Sequence, residues 1–257
     1  MSGFDQGPLV AFANHFALVP PPPVPERFWS DWGPVFYRGR TNGSARVLCI
    51  ASDPGPTERV AGRTLVGDAG QRVQGFLSKL GLTRSYLCLN AFAFALFPSE
   101  ADAADEMLQV AEQAMWRNRL YDIARTDELQ AVVAFGRVAQ AAVDLWEGKD
   151  GLTVCIVPHP SSHDEAVLLN EWRAAIDELR TVVTPDGDGD ATGTNYGDAF
   201  QESDYAAIPR ADLPFGAPDF LGDDGWRRTA GGFSSVSRPS PDDRHTLVWI
   251  APTAQVD

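Results

Sequence analysis

From Arg46 onward, short apolar runs alternate with segments of helical period, and this alternation limits the folds open to the chain more than any other feature. Strands are predicted at 46–51, 85–91, 130–135 and 152–157, with helices at about 69–80, 101–126, 137–147 and 163–183. Strands that alternate with helices form a mostly parallel sheet covered on both faces. The expected fold class is therefore α/β, a three-layer αβα sandwich with a mostly parallel, four-stranded central sheet.

The text on either side of this core differs from it. Residues 1–44 read as an N-terminal arm that wraps around the body, separated from it by the stiff segment Pro20-Pro21-Pro22-Pro23-Val24-Pro25. After that segment, Phe28, Trp29, Trp32, Phe36 and Tyr37 form an aromatic cluster, read as packing rather than as a ligand site. The α/β domain is expected over 45–184. Residues 185–257 start with Pro-Asp-Gly-Asp-Gly-Asp-Ala-Thr-Gly-Thr-Asn and read as an acidic, largely flexible tail, too poor in apolar residues to order itself by burial. Apolar content returns at Phe215, Phe220, Trp226 and Thr246–Ile250, where a short strand or docking segment is expected.

Charge and cysteine content narrow the classes further. The net charge is −14, and residues 185–257 carry 13 acidic and 5 basic residues. That leaves 22 acidic against 16 basic, a net of −6, in residues 1–184. Such a balance disfavours broad attraction to nucleic acid, because Lys and Arg supply most of that binding energy. Cys49, Cys88 and Cys155 each fall in a strand-like run, with neither a disulfide framework nor iron–sulfur spacing. The modest apolar stretch Leu9–Val19 lacks a basic region before it, and no run is long enough to span a bilayer. The expectation is a cytoplasmic, membrane-free monomer without cofactor or metal.

Two loops, each directly after a buried strand, are the candidates for chemistry. Ala51-Ser52-Asp53-Pro54-Gly55-Pro56 follows the first strand and His159-Pro160-Ser161-Ser162 the fourth. In an open α/β sheet, loops leaving the carboxyl ends of strands converge on one crevice, so a carboxylate and an imidazole can face a common ligand. Each loop also has a plainer explanation: Asp, Pro and Gly suit a tight turn, and Ser162 with Glu165 has capping-box spacing. Neither explains why His159 is fixed between Pro158 and Pro160. The run Gly62–Gly70, including Leu65 and Gly67, feeds a helix and can bring backbone N–H groups to an anion, though it lacks a P-loop's Gly-Lys-Ser/Thr ending. Asn90 ends the second strand, where its amide can read a nucleobase edge or simply form a turn.

Together, in this order, these segments resemble the uracil-DNA glycosylase superfamily across roughly residues 45–182. Asp53-Pro54-Gly55 is similar to its water-activating loop, the Gly-rich run to the segment its bacterial branches carry next, and the Asn90 strand to its base-reading strand. Ala131–Gly136 is similar to the third strand, and His159-Pro160-Ser161 to the loop that enters the minor groove. The resemblance implies hydrolysis of the bond between a base and deoxyribose after the nucleotide is flipped out of DNA. Asp53 would then position water and stabilise a cationic sugar, and His159 would donate a hydrogen bond to the departing base. Asn90, Leu65 and Ser52 would contact the base, while Pro54, Gly55, Gly67, Ser161 and Ser162 would hold DNA. Leu65 stands where many relatives carry phenylalanine, and Ser52 replaces a glutamine or glutamate. Without four cysteines no iron–sulfur cluster is expected.

Four other readings compete with this one. The chain could hydrolyse free nucleosides or nucleotides, or be a glycosylase fold that binds DNA or protein after its chemistry has lapsed. A serine hydrolase built from Ser161 or Ser162, a histidine and Asp53 lacks a Gly-x-Ser-x-Gly elbow. A metal site at Cys155, His159 and His163 is opposed by the two prolines, which forbid a regular helix there. The acidic tail could also shield a DNA channel by mimicking phosphate charge.

Overall fold

The computed structural model describes residues 3–29, 33–215, 236–237 and 248–249. In chain order the helices are α1 (Val10–Phe16), α2 (Pro56–Ala61), α3 (Asp68–Lys79), α4 (Ala104–Leu108), α5 (Ala111–Ala124), α6 (Arg137–Asp144) and α7 (Glu165–Leu179). The strands are β1 (Phe28–Trp29), β2 (Tyr37–Gly39), β3 (Val47–Ala51), β4 (Tyr86–Asn90), β5 (Ala95–Leu96), β6 (Ala131–Phe135), β7 (Thr153–Val157), β8 (Val236–Ser237) and β9 (Val248–Trp249).

The central sheet runs β2-β4-β3-β6-β7, and its last four strands are mutually parallel. Every residue of β3, β4 and β6 is buried, as expected for a parallel sheet with helices on both faces. On one face Val47, Cys49, Val133 and Phe135 pack against Phe76 and Leu77 of α3 and Trp172 and Ile176 of α7. On the other, Leu48, Ile50, Val132 and Ala134 pack against Leu120 and Tyr121 of α5 and Val143 of α6. These are the three layers that the alternation predicts.

The sheet has one strand more than the four expected. β2 pairs antiparallel with β4, Tyr37 opposite Leu89. Its sequence, Tyr-Arg-Gly, is too short and too polar after Tyr37 to show strand periodicity, and Arg38 is fully buried. A buried guanidinium is tolerated only when paired and hydrogen-bonded. Here Asp212 supplies the pairing at 2.9 Å, with Gln74 and the Thr64 carbonyl as further acceptors. Asp212 also takes Arg40 and the Tyr86 hydroxyl, the latter at 2.6 Å.

Other boundaries shift as well. The helix expected over 101–126 is a 3-10 turn at Pro98–Ala103 followed by α4 and α5, separated where Val110 adopts extended backbone (ψ 121°). The break lets Met107 and Leu108 face one cluster while Trp116 and Leu120 face another. The arm contributes α1, whose Phe12 and Phe16 pack on the sheet face beneath α5, and His15 stacks on Trp116 with ring centroids 5.3 Å apart. Phe28 meets Phe92, and Phe36 meets Trp116.

Residues 185–215, expected to begin a flexible tail, lie against the domain. Asp186 accepts hydrogen bonds from the backbone N–H groups of Thr83, Arg84 and Ser85 at 2.5–3.2 Å. Asp204 pairs with Lys79 at 2.8 Å, and Asp212 enters the Arg38 cluster. Carboxylates tie this stretch down together with a few apolar side chains, Tyr196, Phe200, Ile208 and Leu213, too sparse in the sequence to signal burial. Trp32, Phe220, Trp226 and most of Thr246–Ile250 lie outside the described residues. The two described residues of that last run, β9, pair antiparallel with β8.

Candidate active site

The strand order places a topological switch point between β3 and β6: the chain leaves β3 for β4 on one side and later returns to β6 on the other. Ligands of open α/β sheets bind outside the carboxyl ends of the strands at such a point. Asp53 follows β3 by two residues, Gly136 follows β6 directly, and His159 follows β7 by two residues. β3 and β7 are two strand spacings apart, roughly 10 Å.

The Asp53 loop is anchored by β4, whose continuation donates from Ala91 N to the Ala51 carbonyl at 2.8 Å and from Phe92 N to the Ser52 carbonyl at 2.9 Å. Asp53 itself is partly buried. One carboxylate oxygen accepts from the Ser52 hydroxyl at 2.6 Å and the other from Leu96 N at 2.9 Å. Burial raises the Asp53 carboxyl above its ordinary range and the nearby Glu58 carboxylate adds to the rise, while the hydrogen bonds from Ser52 and Leu96 oppose it. The role of Ser52 here is thus to orient Asp53.

His159 lies at the opposite side of the switch point. The backbone N–H of Ser161 donates to its Nδ1 at 3.2 Å, and the Ser161 hydroxyl lies 2.6 Å from the same nitrogen. A backbone N–H can only donate, so Nδ1 is the acceptor and the ring proton of the neutral imidazole resides on Nε2. Burial pushes the His159 pKa down, which favours that neutral form. The turn closes with Ser162 N donating to the His159 carbonyl at 2.8 Å. Gly136 makes room for the ring: its φ is +87°, and a Cβ there would lie 2.9 Å from His159 Cβ. Nothing in the strand pattern around Gly136 signals this role, because it depends on a residue 23 positions away.

The glycine-rich run is differently employed than expected. Glu58 of α2 reaches back so that one of its oxygens accepts from Val66 N and Gly67 N, both at 2.9 Å. An internal carboxylate thus already occupies the N–H groups expected to meet an anion. Leu65 lies beside them in the left-handed region at φ +52°, the one non-glycine residue with positive φ among the described residues. Such a conformation in a buried leucine costs on the order of 1–3 kcal/mol and is held by its surroundings. Gly70 is part of them, since a Cβ there would lie 1.8 Å from the Leu65 carbonyl oxygen.

Asn90 is fully buried and sits in register with Ala51. Its Oδ1 accepts from the Thr64 hydroxyl at 2.5 Å and its Nδ2 donates to the Val35 carbonyl at 2.9 Å. These bonds fix the amide and leave one Nδ2–H and one oxygen lone pair for any further partner. Pro54 is buried, and Gly55 caps α2, where a Cβ would lie 2.7 Å from Glu58 Oε2. Ser162 does not cap the following helix. Asp164 does, accepting from Val167 N at 3.1 Å, because the turn closed by Ser162 N delays the helix to Glu165.

Two rival arrangements are not assembled. His159 Nδ1 engages Ser161 rather than Asp53, and each Asp53 oxygen accepts one hydrogen bond, from Ser52 or Leu96, with lone pairs to spare. No hydrogen bond joins His159 to Asp53 among the described residues, so no Ser–His–Asp relay is formed. Cys155 packs in the core beside Trp172, its thiol pushed up to about 12 by burial and by Glu178. No group of three or more His, Cys, Asp or Glu side chains able to hold a metal occurs among the described residues. Nor is any helix among them long and apolar enough to cross a membrane.

A family model described as the Uracil DNA glycosylase superfamily matches residues 38–174, from β2 into α7. Among curated proteins nothing matches.

Proposed function

The chain belongs to the uracil DNA glycosylase superfamily, and on that premise we propose that it hydrolyses the N-glycosidic bond of uracil or a related deaminated or damaged base in DNA, in base-excision repair. The observation that carries the reading is the placement of His159, whose Nδ1 faces the Ser161 N–H and so leaves Nε2 as the donor, across a switch point from a carboxylate held by two hydrogen bonds.

In this mechanism the base leaves with the glycosidic electron pair, and the Nε2–H of His159 donates to the oxygen on which negative charge accumulates. A neutral donor serves this purpose in a site where a bulky cation would be costly to bury. Ionised Asp53 orients the attacking water and stabilises the cationic sugar, the demand that carboxylates meet in other glycosidic hydrolyses. Asn90 contributes its remaining N–H to a base carbonyl, and Leu65 provides an apolar wall in place of an aromatic ring. A branched aliphatic contact gives up aromatic stacking energy on the order of 1–3 kcal/mol, so discrimination among bases falls more heavily on hydrogen bonds. Ser161, Ser162 and Gly55 lie on the loops that would meet flanking DNA, with buried Pro54 and Gly67, whose N–H is taken by Glu58, shaping those loops from behind. The domain acts in this reading as a soluble monomer of the cytoplasm.

Purified protein incubated with single- and double-stranded oligonucleotides carrying uracil, hypoxanthine, xanthine or hydroxymethyluracil tests the proposal through alkali-labile abasic sites. Release of one base, lost in both Asp53→Asn and His159→Ala, supports it. Absence of release from every oligonucleotide, with release from free nucleosides, would transfer the same chemistry to a monomeric substrate.

A further inference from the structure

The two carbonyls that flank His159 are each held by a side chain from another element. Trp172 of α7 donates from its indole Nε1 to the Pro158 carbonyl at 3.0 Å, and Arg72 of α3 donates from Nη1 to the Pro160 carbonyl at 2.8 Å. Proline has no N–H, so these carbonyls are the only backbone handles at the two positions beside the histidine.

Both holders are covered by one short segment. Phe200 places its ring against Trp172, with centroids 6.0 Å apart, and beneath the Arg72 guanidinium, whose central carbon is 4.3 Å from the ring centroid. Tyr196 meets Trp172 from another side at 5.6 Å. The Tyr205 hydroxyl accepts from Arg72 Nε at 3.0 Å, so the arginine fork spans the His159 loop and this segment. The segment is itself fixed on α3: Ala206 N donates to the Gln71 carbonyl at 3.1 Å, and Asp204 pairs with Lys79. At Gly75 its backbone comes so near that a Cβ would lie 1.9 Å from the Asp204 carbonyl oxygen. All of residues 196–206 lie beyond the span 38–174 that matches the family model.

We infer that residues 196–206 are a brace for the His159 loop, with Arg72 and Trp172 as positioning residues and Phe200 as the contact that ties them together. Cation–π contact and a fork to two acceptors restrict the guanidinium to one orientation. That orientation fixes Pro160, and with it the Ser161 N–H that sets the histidine tautomer. The inference rests on the proposed role of His159, but its test does not require base release.

The ring nitrogens of His159 are followed by 15N NMR across a pH titration of the full chain, assigned by their loss in His159→Gln. The wild-type protein is expected to show an acceptor Nδ1, a protonated Nε2 and a midpoint below the ordinary value of about 6.5. In Arg72→Gln and in Phe200→Leu, with far-UV circular dichroism unchanged, the tautomer preference is lost and the midpoint moves up. Where base release is measurable, kcat falls on the order of 10- to 100-fold, as for other small displacements of an acting group. A folded variant of either kind that keeps the wild-type tautomer and midpoint overturns the brace. Should Arg72→Gln fail to fold, Phe200→Leu decides the question alone. A protein that releases no base but loses the tautomer signature in the variants retains the brace and rejects the glycosylase reading.

Discussion

At the scale of single residues, the site combines groups whose environments push them in opposite directions. Burial raises Asp53 and lowers His159, so the carboxylate gains its charge later and the imidazole loses its charge earlier as pH rises. A folded-state pKa above the unfolded one means that Asp53 favours folding when protonated and subtracts from stability as pH rises through that value. Asp53→Asn removes this term while its amide can still serve both neighbours, the oxygen facing Leu96 N and the nitrogen facing the Ser52 hydroxyl. The variant is expected to match or exceed the wild type in thermal stability at pH 7, with a flatter dependence between pH 4 and 7. Loss of stability in Asp53→Asn at neutral pH would contradict the assigned burial cost. Gly136→Ala is expected to cost about 1–3 kcal/mol and to impair base release, because the new Cβ meets His159 Cβ at 2.9 Å from a backbone at φ +87°. Denaturant unfolding alongside base release reads both effects.

Elements show how much of this could be read in advance. The four parallel strands and the helices that cover them carry the apolar periodicity that defines such a sheet, and the two loops at strand ends stand out for their Asp-Pro-Gly and Pro-His-Pro texts. What escaped the reading is polar and long-range. β2 is three residues with a buried arginine, legible only once Asp212, 174 positions away, is seen to pair with it. Glu58 taking Val66 N and Gly67 N, and Asp164 replacing Ser162 as the cap, are likewise choices among equivalent acceptors that spacing does not decide. The Arg38–Asp212 pair makes a sharp prediction. Removing one partner of a buried ion pair leaves an uncompensated charge, so Asp212→Ala should lose about 3–5 kcal/mol in denaturant unfolding. A loss below 1 kcal/mol would show that β2 does not depend on this contact.

Across the whole molecule, acidity is partly structural. Asp186, Asp204 and Asp212 all belong to the 13 acidic residues of 185–257, yet each is buried against the domain and used internally. Burial alone would raise the Asp186 carboxyl, but hydrogen bonds from Ser85, Arg84 and Thr83 hold it below the usual range. Its contribution is therefore present at neutral pH and lost as pH falls below about 4. Asp186→Ala should cost about 1–3 kcal/mol at pH 7 and less under acid, when compared by thermal unfolding at both pH values. The remaining acidity still opposes phosphate binding, so an enzyme of this kind is expected to lose DNA affinity steeply with salt only if basic groups cluster at the crevice. In the proposed mechanism Asp53 and His159 act on one glycosidic bond from opposite sides of the switch point. Single-turnover base release from a uracil-bearing oligonucleotide, measured with excess wild-type, Asp53→Asn and His159→Ala protein, tests it most directly. The account predicts losses on the order of 100- to 1,000-fold in each variant with folding intact; release at the wild-type rate in either one would contradict it.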